Sequence, residues 1–572
     1  MGAATSDEHI DTDVLVIGGG IGGCFAAIKA AEEGARVVVF EKANILRSGG
    51  SGTGIHRIVL IHPDYNHTYE NFAKLNVEAA GGVADEDVSY EFARNTLDRV
   101  PDLESYGLKI RDEKNSFIFV TGPDVCPGKP GIWGPGPTVW HDLKPILARK
   151  AMSCPGVIVL NRTSGIGLLT EDGVTGGRVI GAIGLETRTG KFVICRAKAV
   201  VITSGNSYRL GRYSDSLYAP TRFITTGPPT NSGEGQAMAY RAGADIVNME
   251  FVYLATDWKD FPHAGVGATR GVGGRIITGT GAEPGASDLY RRTCHGAFNT
   301  EAPLYADVSN IEGWPEEKGM MQLFLWGLEN GPTSLAYLQW MEERGEDLRK
   351  QPVEVDWRPP AIHNNQPGIH MDVNARSSLE GLYCAGDVIG GGWRQSAAGG
   401  FVFGTIAGIN AAEFARTSPE LNIANEQVKE LKKPVLQALS INSREGYSWI
   451  EMEDKVRKIA TEYGPPLTSD AKLRRGLAHL DRIKMRYLPW LYARDPREMM
   501  RVCEVDSVFF IAEAFLSAAL FRKESRQNKC SLLYKTEYPE RDDTNWLKHT
   551  VIRNVDGEMK LSKKDVKRLS KN

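Results

Sequence analysis

Residues 13–17 (Asp-Val-Leu-Val-Ile) are a short apolar run, and its length predicts a strand buried on both faces. Small and apolar residues continue in helical register over 21–33, and 37–40 is a second apolar run. A strand, a glycine turn, a helix and a parallel strand therefore open the chain. A further run at 197–203 ends in Ser204-Gly205-Asn206 and predicts another sheet strand entering a turn. Between 232 and 355 the pattern breaks into helical stretches mixed with Gly- and Trp-rich loops, the texture of an inserted domain. A strand returns within 381–387, followed by glycines and a helix over 401–415. From 421 to about 526 the pattern is helical and heavily charged. The tail after Tyr534 is polar, and its six Lys/Arg between Lys560 and Lys571 predict a solvated end.

These patterns give an α/β unit over 10–231 and 356–420, interrupted by an α+β unit over 232–355. A helical unit follows over 421–530, then a tail over 531–572. At 572 residues the chain exceeds what one core sustains. A net charge of −3 gives no reason to expect nucleic acid. Glycine is in excess, 62 residues where roughly 7% is usual. Glycine weakens regular elements, so this excess marks tight turns and close approach to a large ligand. No apolar run reaches the roughly 18–20 residues that cross a bilayer. The first residues lack the basic-then-apolar order of a secretion signal, so a cytoplasmic location is expected. The eight cysteines form no C-x-x-C pair, which speaks against a metal cluster held by this chain and for reduced packing thiols.

Gly18, Gly20 and Gly23 stand as G-x-G-x-x-G between the first strand and its helix, and Glu41 closes the second strand 18 residues after Gly23. In that context the first glycine permits the turn, the second admits a pyrophosphate against the backbone, and the third lets helix and strand pack closely. The helix N-terminus faces phosphate charge and Glu41 accepts from ribose hydroxyls. A second small-residue stretch, Arg47 to Gly54, and a third at 381–387 ending in Asp387 would lie along a longer ligand. Separate glycine segments serving one cofactor favour FAD over NAD. The candidate cofactor-binding residues are Gly18, Gly20, Gly23, Glu41, Lys42, Ser48, Gly49, Gly50, Ser204, Gly205 and Asp387.

Several segments together carry a resemblance: 16–42, 197–206, 231–250, 268–276, 363–369, 381–392, FRKESR (521–526) and YPERDDTNWLKHT (538–550). With them the chain resembles the flavoprotein subunits of the succinate dehydrogenase/fumarate reductase superfamily, which includes L-aspartate oxidase and the alpha chain of adenylylsulfate reductase. The resemblance implies a Rossmann-type FAD domain, a capping domain inserted over the flavin, and a C-terminal helical domain. In covalently flavinylated members a histidine follows the Arg-Ser pair; Gly49 stands there, so FAD is expected to be non-covalent. His56 and His62 lie nearby as ordinary polar residues.

The resemblance also implies the catalytic residues. Arg270, in Arg-Gly-Val-Gly-Gly, matches the arginine that moves a proton while hydride passes between flavin N5 and substrate. Arginine is a reluctant acid, with an ordinary pKa above about 12, so this role needs desolvation and a relay. His363 matches the histidine that binds a substrate carboxylate, and Arg394 falls near the substrate arginine. The stretch from Arg394 to Gly404 is shorter than in succinate dehydrogenases and nearer in length to adenylylsulfate reductases. Ala255 takes the place of the histidine that holds a second carboxylate, which puts a C4 dicarboxylate in doubt. Trp133, Trp140, Trp258 and Trp393 could line a pocket for a larger planar group or simply fill the core.

The expectation is an FAD-dependent oxidoreductase acting on a small anionic or conjugated substrate. With no second dinucleotide fingerprint, electrons are expected through a small ferredoxin-like iron–sulfur subunit. The alternatives are an L-aspartate-oxidase-like oxidase, a chain like the adenylylsulfate reductase alpha chain, and a non-catalytic electron-transfer flavoprotein. Oligomeric state is left open.

Overall fold

The computed structural model describes residues 7–52, 54–55, 57–62, 68–111, 113–119, 131–133, 140, 142–211, 228, 230–252, 256–258, 274–283, 303–311, 313, 341–348, 350–357, 365–393, 395–420, 422–528 and 531–569. The opening unit is β1 (Asp7–Ile17), α1 (Ile21–Glu32) and β2 (Val37–Glu41). Val14 to Ile17 and all of β2 are buried, as expected of strands covered on both faces. β1 lies between β2 and the Phe192–Ile202 strand, parallel to both, with Val14 opposite Val37 and Ala199. The Val157–Asn161 strand extends the sheet beyond β2, and an antiparallel pair, Val179–Glu186 and Thr163–Thr170, extends the other side.

After a long excursion the chain returns to this sheet. Leu382–Cys384 pairs in parallel with the Phe192–Ile202 strand, Leu382 opposite Val200. The helix that follows runs Ser396–Thr417, so it begins before the glycines read as a loop ahead of it. Gly400, Gly404 and Gly408 are interior because they face α1 at contact distance. A Cβ on Gly404 would stand 2.6 Å from the Gly22 carbonyl oxygen, and one on Gly408 would stand 2.5 Å from that of Ala26. The two helices meet backbone to backbone, which no larger residue permits.

Within the excursion, Thr256–Trp258, Val353–Trp357, Leu304–Asp307 and Arg275–Thr278 form a four-stranded antiparallel sheet in that spatial order. The helical unit comprises Asn425–Ser440, Trp449–Tyr463, Asp470–Arg486 and Pro496–Phe521. Ser448, Ser469 and Asp495 accept from backbone N–H groups at three of the helix starts.

The tail departs from the solvated end expected of it. Lys548–Val555 and Glu558–Asp565 form a hairpin, and its first strand pairs with Ile246–Val247, Ile552 opposite Ile246. The outer strand is largely exposed, so its lysines do meet water. The Arg568 guanidinium nevertheless donates to the carbonyls of Ala84 and Gly82 (2.8 and 2.6 Å). Below the hairpin, buried Asp85 receives His370 Nε2 on one oxygen and His549 Nε2 on the other, each at 2.9 Å. The Lys567 backbone N–H adds a third donor at 2.8 Å. His549 Nδ1 accepts from the Asn248 amide at 2.9 Å and His370 Nδ1 faces the Lys564 ammonium at 3.2 Å. Asp85, His370 and His549 are close enough to chelate a cation. Their ring N–H groups already point at the carboxylate and their lone pairs at donors, so the trio is a hydrogen-bonded clasp.

A second buried crossroads joins the helical unit to the tail. Arg522 donates to Glu250 and Glu524 (both 2.6 Å) and to the Trp546 and Lys548 carbonyls (2.9 and 2.8 Å). Arg526 grips both oxygens of Glu524 (2.6 and 2.9 Å) and the Gly81 carbonyl. Arg522 is wholly buried and Arg526 is 1% exposed, a placement tolerable only because every charge is paired. FRKESR and much of YPERDDTNWLKHT are therefore joinery.

Candidate functional site

At the carboxyl ends of β1, β2 and the Phe192–Ile202 strand lies a cleft of about 400 Å³. This is where an open α/β sheet binds ligands, since its loops diverge there. Gly18, Gly20, Glu41, Lys42, Ser48, Gly49, Gly50, Ser204, Gly205 and Asp387 all line it. Gly23 stands behind the wall.

The glycines are of two kinds. At Gly18, with φ of 105°, a Cβ would meet the Thr203 carbonyl oxygen at 2.7 Å, and at Gly23 it would fall 1.8 Å from the Gly18 carbonyl oxygen. Those two serve the turn itself, which the Thr203 hydroxyl tightens by donating to the Gly18 carbonyl at 2.6 Å. Gly50 and Gly386, by contrast, would point a Cβ into open space, and at Gly20 the nearest atom is 3.9 Å away. Such openings along a cleft wall are the cradle that a side chain would fill. The Ser204 hydroxyl, buried in the wall, has no hydrogen-bond partner among the described residues.

Glu41 is 5% exposed and holds the loop from beneath. Its Oε2 accepts from the Gly19 N–H at 2.7 Å and its Oε1 from the Ala43 N–H at 2.6 Å. Each carboxylate oxygen keeps a lone pair for a further donor, so these bonds leave room for ribose hydroxyls. Lys42 differs from a free phosphate-binding cation. Its ammonium is bound by Glu234, by the Thr230 carbonyl and by Glu504 (2.8 Å for the last). Burial pushes its pKa down and the two carboxylates more than restore it, so the net direction is up. The cleft therefore fits the adenylate and pyrophosphate of FAD through backbone donors, a ribose acid and glycine openings.

Arg270, His363 and Arg394 lie outside the described residues, as do Ala255 and His56. Trp140 and Trp393 are buried core: Trp140 donates its indole N–H to the Lys109 carbonyl, and Trp393 packs with Val77, Ala80 and Ala84. Neither lines the cleft. Sequence reasoning missed Asn231 and Glu234, which also line it. The N-S-G-E segment at a helix start was a usable signal, since small and polar residues there expose backbone N–H groups. Of the eight cysteines, the five in the described residues are free, four of them buried. Burial pushes the Cys195 and Cys384 thiols upward, as expected of packing residues.

Residues 13–310 match the family described as FAD binding domain, and residues 453–570 match fumarate reductase flavoprotein C-term. The flavin-family chain of the CoM/CoB fumarate reductase of Methanothermobacter marburgensis is 24% identical, the match covering 93% of this chain and 95% of that protein. The fumarate reductase flavoprotein subunit of Escherichia coli is 25% identical, over 98% and 94%. Among solved structures, adenylylsulfate reductase of Archaeoglobus fulgidus shares the fold with a TM-score of 0.82 at 23% identity, over 99% and 97% of the two chains. A quinol fumarate reductase flavoprotein of E. coli does so at 0.79 and 21%, over 98% of each. No helix among the described residues is long and apolar enough to cross a membrane. Glycine cradle, ribose acid and full-length similarity converge: this chain belongs to the FAD-binding flavoprotein family of the succinate dehydrogenases and fumarate reductases, and is an FAD-dependent oxidoreductase.

Proposed function

We propose that the chain is the catalytic flavoprotein of a fumarate reductase-like system, acting on a small anionic or conjugated substrate with an iron–sulfur protein as its electron partner. The observation that carries this reading is the cleft, whose glycine openings and Glu41 suit FAD, in a chain similar over nearly its whole length to fumarate reductase flavoproteins. When bound, FAD supplies hydride chemistry at N5. The protein's share is to hold the adenylate on the Gly18–Gly23 turn and Glu41, to bind the substrate anion through His363 and Arg394, and to move a proton at Arg270. Gly49 offers no nucleophile to the flavin, so the cofactor is held without a covalent bond. Acid precipitation should leave the yellow colour in the supernatant.

The test is the full chain with its flavin reduced by dithionite, then mixed with fumarate and other conjugated acids, with adenylylsulfate, or with dioxygen. Rapid reoxidation by a conjugated acid is expected, and Arg270→Ala should slow that turnover at least about 10²-fold while FAD stays bound. Arg270→Lys should recover only part of it, since an ammonium cannot reproduce the planar fork. Reoxidation by dioxygen alone overturns the reading. A second reading, kinship in activity with the adenylylsulfate reductases, is favoured by Ala255 and by the short stretch after Arg394. Reoxidation by adenylylsulfate alone would select it.

A further inference from the structure

Behind the adenylate end of the cleft sits a buried charge network that the redox chemistry does not use. Glu504, on the Pro496–Phe521 helix, is its hub. One oxygen accepts from Lys42 at 2.8 Å; the other accepts from Arg209 at 2.7 Å and from Arg501. Arg209 in turn donates to Glu453 at 2.9 Å, and Lys42 to Glu234. Three cations meet three carboxylates, and Glu504 is 1% exposed. Burial pushes its carboxyl up, but Lys42, Arg209 and Arg501 outweigh that and hold it at about 2, so it is ionised at any ordinary pH.

The partners belong to different walls of the cleft. Lys42 sits between Glu41 and Ala43, the two ends of one of the bonds that fix the ribose acid. Arg209 follows the Ser204–Gly205 turn, and Glu234 itself lines the cleft. We propose that Glu504 is a positioning residue for FAD: from the helical unit, it holds the end of β2 against the Ser204–Gly205 turn and so presets the adenylate half of the site. Without that carboxylate three buried cations would share two acids, and the segments bearing them would separate to reach water. The cleft would lose preorganisation, and the cofactor would have to restore it on binding. The proposal rests on the cleft holding FAD, and wild-type FAD binding checks that separately.

Glu504→Gln keeps the shape and removes the charge. FAD and ADP binding are to be titrated into the deflavinated full chain, and unfolding followed with and without FAD. Both ligands should bind about tenfold more weakly, within the range of coupling between neighbouring charged groups. The loss should be equal for the two because it lies at the adenylate end, and the reduction potential of bound flavin should not move. A lower melting temperature with FAD and ADP affinities unchanged would make the network purely structural and overturn the proposal. Should Glu504→Gln not fold, Arg209→Gln enters the network from a side chain that does not line the cleft, and the same two outcomes decide.

Discussion

Two buried regions of this molecule treat polar atoms in opposite ways. In the cofactor cleft the wall is backbone, glycine openings and a serine hydroxyl without a partner among the described residues. At the Arg522–Glu524–Arg526 crossroads two guanidiniums are spent on carboxylates and carbonyls of the same chain. The first region is incomplete without a ligand, while the second has almost nothing left to offer one. A buried polar site of the first kind is where binding is to be sought. One of the second kind is where the chain's distant segments are tied.

The sharpest way to break this contrast is Arg522→Ala. It strands Glu250 and Glu524 as buried charges, so stability to denaturant should fall by about 3–5 kcal/mol. The folded fraction should still bind FAD with wild-type affinity. A loss of FAD affinity at unchanged stability would show that the crossroads serves the cleft.

A smaller effect is expected inside the cleft, and it should split the two kinds of glycine. Gly23→Ala forces a Cβ onto the Gly18 carbonyl oxygen and should cost about 1–3 kcal/mol of apo stability together with FAD binding. Gly50→Ala meets nothing in the protein and should weaken FAD while leaving the apo melting temperature alone. Equal apo melting temperatures for the two variants would erase the distinction.

The smallest effect concerns the Asp85 clasp. Burial holds the His549 pKa below its usual value; Asp85 opposes this shift, and His370 and Arg522 reinforce it. The detached tail then binds a proton that the docked tail resists. The stability of the docked state is therefore full above about pH 6.5 and lost as the pH falls below it, by at most about 1.4 kcal/mol per pH unit. Hydrogen exchange of the 548–565 hairpin should quicken between pH 7.5 and 5.5, once corrected for intrinsic rates. His549→Gln should flatten that difference, and an undiminished one would assign it to another group. Lys564, Lys567 and Asp245 also face this cluster and keep their charge through the interval.

The cleft was legible in the sequence because its signal is local. Glycine spacing reports a backbone path, and strand, turn and acid lie within thirty residues of one another, so ten of the eleven expected cofactor residues line one cavity. The crossroads and the clasp were not legible. Asp85 and His549 are 464 positions apart and Lys42 and Glu504 are 462 apart, and no periodicity links such pairs. The tail misled for a related reason. Its lysines face water along the outer strand, and nothing in a polar string says that its inner partner is sheet. The glycines before residue 401 read as a loop because a helix interior disfavours them, unless another backbone must pass within contact distance.

That last contact has a consequence for the order of events during synthesis. The first part of the sheet and the pyrophosphate turn are complete once the chain has passed residue 202, yet α1 has no partner for Gly22 and Ala26 until Gly404 and Gly408 emerge. The edge of the Phe192–Ile202 strand likewise waits for Leu382. At elongation rates of about 5–20 residues per second, several seconds separate the two halves at the ribosome. During that interval the nascent domain carries a bare helix face and an open strand edge. Flavin loading in the cell is thus timed by translation through the inserted region, and a slow stretch of codons there would lengthen the exposure without altering a single residue of the finished protein.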